Sequence, residues 1–315
     1  MRKKRLSVTP IVPTSPLTLF VGGEQGAWYD PIDIATLFQD DAGTTPVTAA
    51  AQPVGRVLDK SGRSNHATQP TAARKPLYNT LPSRLSLDKV DDQLVITVPA
   101  GGWTGTMVLA TDQGTASYGI TIPTGAYNLG GTFFPGGAIV GALFRNEALT
   151  VEETTLTESY LVGNGATAAY GGVADFTSFW RIRTEITSFP LIDTSSGTNF
   201  SNAWRECSSL TSFPIINTSS GTIFTLAWFG CSSLTSFPAN CFDSVKGGSF
   251  SDAFSGTNLT QASIDGILAS LVTSGIATGT RVFGQSGGSA PSAAGEESIT
   301  TLRSRGWAVT VTGGF

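Results

Sequence analysis

The chain has 315 residues, of which 40% are apolar and only 13% are charged, and its formal net charge at pH 7 is −4. This length favours two domains, and the composition excludes both a highly charged disordered chain and a strongly basic nucleic-acid-binding protein. Because the sequence contains 33 Ser, 42 Thr, 37 Gly and 16 Pro, it favours a mainly β fold with many turns and only short helices.

The first 16 residues are predicted to form an extended basic docking arm. Arg2, Lys3, Lys4 and Arg5 supply four of the 19 basic residues, so the rest of the chain has 15 basic against 23 acidic residues, a net charge of −8. Prolines that follow keep such an arm extended, ready to insert into an acidic groove on a partner; the alternative is a disordered tail. No apolar block typical of a signal peptide or of a membrane helix follows, so we expect neither a secretory signal nor membrane insertion.

Residues 17–165 contain no internal repeat, and only a few strand candidates follow Asp92. The strand candidates after Asp92 are Leu94–Val98, Thr106–Ala110, Tyr118–Ile122 and Ala138–Phe144. Thr150 and Glu153 have the spacing of a capping box, which predicts the start of a helix that ends at Gly163. The apolar face of that helix is Leu156, Tyr160 and Leu161. The Gly- and Ala-rich residues 163–172 are predicted to be a hinge between two halves.

Three segments of this first half resemble known proteins. Asp59–Thr68 and Leu85–Leu94 resemble the opening part of a concanavalin-like (laminin-G-type) β-sandwich, and Trp28–Pro46 resembles the opening of many phage virion proteins. The resemblance implies that residues 17–165 form a β-sandwich-like anchoring domain. Because few strand candidates follow Asp92, we predict an abbreviated sandwich.

Residues 176–256 repeat with a period of 24. The recurring motifs are Phe-x-x-x-Trp/Phe, at Phe176, Phe200, Phe224 and Phe250, and Ile/Leu-Thr-Ser-Phe-Pro, at Ile186, Leu210 and Leu234; of these positions only Phe250 is shifted, by two residues. A unit of this length cannot bury its apolar face alone, so successive units are expected to stack and to share one core.

Stacking would align equivalent residues of successive units in ladders. The ladders expected in the core are Trp180/Trp204/Trp228/Phe254, Phe189/Phe213/Phe237 and Cys207/Cys231. The alternatives are a sugar-stacking surface for the tryptophans and a disulfide for the cysteine pair. Side chains that alternate with the apolar positions, or that vary between units, are expected to face solvent. These receptor-binding candidates are Thr187, Arg205, Thr211, Phe229 and Thr235.

The Cys-Ser-Ser-Leu-Thr-Ser-Phe-Pro segments at 207–214 and 231–238 resemble the core of BspA-type leucine-rich repeats. The resemblance implies a leucine-rich-repeat solenoid over residues 166–258 and a C-terminal α/β cap over residues 259–315. Solenoids need such caps because an open end would expose the shared core.

The local pattern of residues 259–315 agrees with a cap. Thr260 is predicted as a helix N-cap and Gly275 as the helix stop. The apolar face between them is Ile264, Ile267, Leu268 and Leu271. A second helix is expected over residues 295–305, and a strand follows in which Trp307, Val309 and Val311 alternate with polar residues.

No group of residues in the sequence indicates catalysis, a cofactor or a metal. The single histidine, His66, and three cysteines cannot build the usual zinc site, and they leave only one candidate base for a catalytic triad. Adjacent acidic pairs are poor candidates for glycoside hydrolysis, because neighbouring strand residues point to opposite faces. Asp30, Asp33 and Asp59 could ligate Ca²⁺, but turn capping is the favoured role.

The leading hypothesis is a bacteriophage virion structural protein, a tail-fibre or surface-fibre subunit that mediates host attachment through its repeats. An adhesion-type repeat without a secretory signal suits a component of the virion that is released by lysis. The arm would bind other virion proteins of the tail, baseplate or capsid, and the solenoid a glycan or protein of the host surface. Resemblance to fibres implies a homotrimer.

Three other functions stay open. They are a capsid-decorating or baseplate protein without receptor binding, a glycan depolymerase, and a bacterial surface adhesin, which the missing signal disfavours. We expect no enzymatic activity, no cofactor and no nucleic-acid partner.

Overall fold

A computed structural model describes residues 15–80, 83–131, 134–135, 137–163, 170 and 172–315. The arm residues Arg2, Lys3, Lys4 and Arg5 lie outside the described residues, as does most of the predicted hinge. The described part is mainly β, with 15 strands and three α-helices, as predicted.

The strands are β1 (Gly26–Tyr29), β2 (Leu37–Phe38), β3 (Arg56–Val57), β4 (Ala67–Thr68), β5 (Leu77–Thr80), β6 (Ser83–Ser86), β7 (Gln93–Val98), β8 (Trp103–Thr111), β9 (Thr115–Ile122), β10 (Gly125–Gly130), β11 (Ala138–Arg145), β12 (Ile186–Ser188), β13 (Gly248–Ser255), β14 (Arg281–Ser286) and β15 (Ala308–Thr310). The helices are α1 (Val151–Gly163), α2 (Gln261–Ser274) and α3 (Ala293–Ser304).

The strands form three sheets. A seven-stranded sheet has the order β12-β9-β8-β11-β6-β5, with β1 also paired to β11, and a five-stranded sheet has the order β10-β7-β4-β3-β2. All strand pairs in these two sheets are antiparallel. The third sheet, β13-β14-β15, is parallel.

The four predicted strands of the first half are confirmed, and they lie within β7, β8, β9 and β11. The sequence missed one strand after Asp92, β10, and gave no candidates for the six strands before Asp92, β1 to β6. Strands β2, β3 and β4 have two residues each, which is too short to show an alternating pattern. Their pairing is decided by neighbouring strands and not by their own sequence.

Side chains of the two antiparallel sheets meet in one core. The ring centroid of Phe144 on β11 lies 5.6 Å from that of Tyr127 on β10 and 5.6 Å from that of Trp103 on β8. Strand β11 is buried along its whole length. Its Ile139 faces this shared core, whereas Val140 packs in a second cluster under α1. The continuous apolar run of β11 therefore serves two cores.

Helix α1 begins at the predicted capping box and ends at Gly163, as expected. The backbone N–H of Thr150 donates to Glu153 Oε2 at 2.8 Å, and the N–H of Glu153 donates to Thr150 Oγ1 at 3.2 Å. Leu161 is buried in the cluster under the helix, and Tyr160 packs against that cluster. Two of the three residues of the predicted apolar face, Tyr160 and Leu161, thus cover the outer side of the seven-stranded sheet, while Leu156 is half-buried.

The 24-residue units lie one above another in parallel register. Parallel bridges link Ser188 to Ser212 to Ser236, and Asp175 to Asn199 to Ile223 to Ser249. One column of stacked rings, with centroids 5.0–5.5 Å apart, is Trp180/Trp204/Trp228/Phe254. A second column, with separations of 5.3 and 5.4 Å, is Phe189/Phe213/Phe237. Every ring in both columns is buried, which confirms the interpretation of these ladders as core.

Each unit bends at two left-handed backbone positions. The first is never glycine: it is Ser178, Asn202, Leu226 and Asp252 in turn, with φ between 50° and 58°. A left-handed residue with a side chain costs roughly 1–2 kcal/mol. Hydrogen bonds between units offset this cost: for example, the N–H of Ser178 donates to the carbonyl of Ser201 at 2.9 Å. The second position is Ile182, Glu206, Gly230 and Gly256.

The first unit of the stack is covered by the seven-stranded sheet. Strand β12 pairs with β9, which joins the repeat segment to that sheet. The indole N–H of Trp180 donates to Tyr118 Oη at 3.0 Å, and the ring of Phe189 lies 6.0 Å from the ring of Tyr118. Tyr170 packs edge-on against Trp180 at 5.5 Å. This end of the stack is therefore closed by the first half of the chain, which the sequence did not foresee.

The other end is closed by residues 259–315. Thr260 Oγ1 accepts the N–H of Ser263, and Gly275 adopts φ 70° after the last turn of α2, as predicted. The predicted apolar face of α2 is buried. Helix α3 and strand β15 follow as expected, and Trp307, Val309 and Val311 are buried. Within the described ranges, no helix is long and apolar enough to cross a membrane.

Candidate functional site

A cleft lies between β10, the edge strand of the five-stranded sheet, and the first repeat unit. Its volume is about 320 Å³. It is lined by Gln93, Tyr127, Asn128, Gly130, Arg181, Ile182, Arg183 and Glu185. A second cavity of about 450 Å³ shares two of these lining residues, Tyr127 and Glu185. Its other lining residues are Thr121, Ile122, Pro123, Ala126, Thr184 and Ser209. We call the two cavities together the junction cleft.

The wall between the two cavities is a buried ionic cluster. Arg183 Nε lies 2.6 Å from Glu185 Oε1, and Arg183 Nη2 donates to Tyr127 Oη at 2.6 Å. Tyr127 Oη donates to Glu185 Oε1 at 3.1 Å. Each group therefore has a partner, which a charged group needs when it is removed from water.

Tyr127 and Arg183 each stay in one protonation state at neutral pH. Burial, together with the charge of Glu185, raises the pKa of Tyr127 well above its ordinary value. Burial is the largest single influence on Arg183 and lowers its pKa, but Glu185, together with Tyr127, Tyr118 and Cys207, raises it by more, so the pKa is raised overall. A tyrosine that stays protonated and an arginine that stays charged orient ligands and do not exchange protons near pH 7.

A column of side chains runs from the junction cleft along the outside of the stack. Arg181, Arg205 and Phe229 occupy the same position in successive units, just before the second left-handed turn. The N–H of Ile182 donates to the carbonyl of Arg205 at 2.8 Å, and the N–H of Glu206 donates to the carbonyl of Phe229 at 2.7 Å. These bonds hold the three levels side by side, and we call the three residues the arginine column.

Arg205 is held in place within this column by three contacts. Its guanidinium lies 5.0 Å from the ring centroid of Phe229, its Nε donates to Glu206 Oε1 at 3.0 Å, and its Nη1 donates to Asn202 Oδ1 at 3.4 Å. The sequence singled out Arg205 and Phe229 but missed Arg181, although Arg181 precedes Arg205 by one full period. The structure brings Arg181 into the same column and into the lining of the cleft.

The predicted threonines form a separate column that does not line the junction cleft. Thr211 and Thr235 are exposed, and Thr187 is half-buried. Thr211 Oγ1 donates to the carbonyl of Thr187 at 3.2 Å, and Thr235 Oγ1 donates to the carbonyl of Thr211 at 3.3 Å. The hydroxyls of Thr211 and Thr235 therefore bind one unit to the next.

The three acidic residues of the first half that could have bound Ca²⁺ have other partners. Asp59 caps a turn as predicted, because its carboxylate accepts the N–H groups of Ser61 and Asn65 at 2.8 and 3.0 Å. The expectation of turn capping is wrong for Asp30 and Asp33, which bind Lys60 at 3.1 and 3.0 Å. An aspartate before a turn and an aspartate in an ion pair look alike in a sequence, since the partner comes from a distant residue.

His66 is structural, as expected. Its Nδ1 accepts the backbone N–H of Asp59 at 3.0 Å. Partial burial, followed by the charge of Arg56, lowers the pKa of His66. A neutral imidazole with one nitrogen held by the backbone is a poor general base.

Three aspartates of the loop before β7 lie close together, a grouping that the sequence pattern did not predict. The carboxylate oxygens of Asp88, Asp91 and Asp92 lie within 4.8 Å of one another. Asp88 Oδ1 accepts the N–H groups of Val90, Asp91 and Asp92 at 2.8–3.2 Å. These bonds account for the cluster as a tight turn.

The cysteines are free and buried, which confirms their interpretation as core fillers. The thiols of Cys207 and Cys231 lie 3.0 and 3.1 Å from the carbonyl oxygens of Trp180 and Trp204. Burial raises the pKa of Cys231 and of Cys241 to about 12. None of these thiols forms an appreciable amount of thiolate at neutral pH.

Comparisons with family models, with curated proteins and with solved structures found no match for this chain. The assignment of function therefore rests on the site itself.

Proposed function

We propose that the chain is a structural subunit of a bacteriophage virion, a tail-fibre or surface-fibre protein that attaches the particle to its host through the repeat segment. In this proposal the two antiparallel sheets are an abbreviated concanavalin-like sandwich that anchors the protein. The stacked units are a leucine-rich-repeat solenoid of the BspA type, and residues 259–315 are its cap. The protein binds and does not catalyse.

The observation that carries the proposal is the outer surface of the stack. Residues 24 apart in sequence lie side by side, so the side chains at equivalent positions of successive units form lines along the stack. The arginine column and the threonine column are two such lines, and they project from an aromatic core that is closed at both ends. A rigid, repetitive surface of this kind suits contact with a repetitive host surface. Many copies per particle would supply avidity.

The chemistry of the described residues supports binding over catalysis. Thiols are buried and protonated, the histidine nitrogen is held by the backbone, and Tyr127 and Arg183 of the junction cleft each stay in one protonation state near pH 7. Enzymes in contrast place acids and bases where their pKa values fall near the working pH.

The proposal is tested on particles. Antibodies against the purified full-length chain should label phage particles at a fibre or tail structure. Incubating host cells with the purified chain should slow adsorption of the phage. Labelling without any effect on adsorption would favour the decorating or baseplate alternative. Release of reducing ends from host polysaccharide would make the chain a depolymerase. Unlabelled particles would refute a virion role.

A further inference from the structure

We propose that the junction cleft and the arginine column together bind an extended, negatively charged glycan, one that carries carboxylate or phosphate groups. This inference rests on the proposed attachment function and names the class of receptor. It follows from the charge, the fixed geometry and the linear arrangement of the groups.

The charge of this surface is opposite to that of the rest of the chain. Residues 166–258 contain four basic residues, and three of them, Arg181, Arg183 and Arg205, lie in the junction cleft or the arginine column. With Glu185 and Glu206 the local net charge is +1, whereas the chain beyond its first five residues carries −8. A polyanion approaching this chain is therefore repelled over most of the surface and attracted here.

The guanidinium group of Arg205 is prepared for an anion. Its Nε and Nη1 are used by Glu206 and Asn202, and within the described residues its Nη2 makes no hydrogen bond. Its position over the Phe229 ring and its two hydrogen bonds hold the group in place, so little side-chain entropy remains to be lost on binding. A guanidinium in this state suits a carboxylate or phosphate oxygen better than a neutral hydroxyl, because the bond is charge-assisted.

The polar groups around these cations suit a sugar. The amides of Gln93 and Asn128 line one cavity, and the hydroxyls of Thr121, Thr184 and Ser209 line the other. Amides and hydroxyls both donate and accept hydrogen bonds, as sugar hydroxyls do. Because the column continues from the cleft over successive units, the whole surface fits an extended chain better than a compact ligand.

The test measures binding of the full-length chain to three immobilised polymers: polygalacturonate, poly(glycerol phosphate) and dextran. We expect binding to polygalacturonate, to poly(glycerol phosphate) or to both, and none to dextran; which polyanion binds identifies the carboxylate or the phosphate as the source. Affinity should fall with added salt. Arg205→Ala should weaken binding by about tenfold or more, as loss of a charge-assisted hydrogen bond predicts.

Lys246→Ala is the matched control, because Lys246 is exposed, lies in the same segment and lines neither cavity. It removes the same charge and should leave binding unchanged. Thermal unfolding of both variants checks that each is folded. Arg181→Ala tests the cleft itself, and it should also weaken binding of the polyanion. Equal weakening by Arg205→Ala and Lys246→Ala, or equal binding of dextran, would overturn the inference.

The two proposals fail separately. If no polyanion binds while the purified chain still slows phage adsorption, the anionic-glycan inference is lost and the attachment function stands. If a polyanion binds through Arg205 but particles carry none of this chain, the glycan site stands and the virion function is lost.

Discussion

In the ring column Trp180/Trp204/Trp228/Phe254, two equivalent tryptophans differ in the hydrogen bonding of the indole N–H, and the effect on stability can be measured. The indole N–H of Trp180 has an acceptor, Tyr118 Oη at 3.0 Å, whereas that of Trp204 is buried and has none within the described residues. Both side chains are fully buried. Phenylalanine already occupies the equivalent position in the last unit, where Phe254 stacks on Trp228 at 5.0 Å. Trp→Phe is therefore a substitution that the column accommodates.

The two Trp→Phe substitutions should lower the free energy of unfolding by different amounts. Both lose the same ring volume, but Trp180→Phe removes a hydrogen-bonded N–H and Trp204→Phe removes one without a partner. Trp180→Phe removes a hydrogen bond with a net contribution of about 0.5–1.5 kcal/mol. Trp204→Phe removes an unsatisfied polar group that itself costs about 1–3 kcal/mol. Trp180→Phe should thus lower the free energy of unfolding by about 1.5–4.5 kcal/mol more than Trp204→Phe does.

Urea unfolding followed by circular dichroism measures this difference from the midpoints at a common m-value. Tyr118→Phe provides the second arm, because it removes the acceptor and leaves the indole N–H of Trp180 unsatisfied. The double variant Trp180→Phe/Tyr118→Phe should then cost less than the sum of its parts. Equal costs for Trp180→Phe and Trp204→Phe, or strict additivity in the double variant, would refute the role assigned to the indole N–H.

Three further predictions concern the thiols, alkaline pH and the cap. In the native protein at pH 8, none of the three buried thiols should react with Ellman's reagent, and all three should react in urea; fast stoichiometric reaction of the native chain would contradict their burial. Since burial raises the pKa of Cys231 and Cys241 to about 12, above the value in the unfolded chain, their contribution to stability is complete below about pH 8.5. It should be lost as pH rises towards 12, by about 1.4 kcal/mol per pH unit for each thiol, and unfolding midpoints that stay constant from pH 8 to above pH 10 would oppose this. Thr260→Ala should cost about 1 kcal/mol through loss of the cap on α2, while Thr260→Ser should cost little; equal costs would mean that the hydroxyl does not cap.

Much of the fold could be read from periodicity. The 24-residue repeat predicted which rings stack, and the pattern around Thr260 and Gly275 predicted the bounds of α2. The capping box at Thr150 did the same for α1. These features depend on residues close together in the chain or on a regular spacing, so the sequence alone is enough to predict them. The short strands β2, β3 and β4 gave no such signal.

The candidate site was only partly visible. Arg205 and Phe229 could be singled out because the residue type varies at this fixed position of the repeat. Their contact depends on the distance between stacked units, which the sequence does not show. The junction cleft was invisible, because its lining comes from β7, β9 and β10 as well as from the repeats. Nothing in the sequence relates Tyr127 to Arg183 before the two segments fold against each other.

The sequence by itself determined that this protein is mainly β, that its C-terminal part repeats, and which residues of each unit are core. The sequence determines these features because they depend on the structural preferences of neighbouring residues and on a fixed spacing between equivalent ones. The tertiary structure alone decided that the seven-stranded sheet closes the first unit of the stack, and that a polar cleft with a buried Arg183–Glu185 pair forms where they meet. Those features depend on contacts between residues distant in sequence, and such contacts leave no periodic signal.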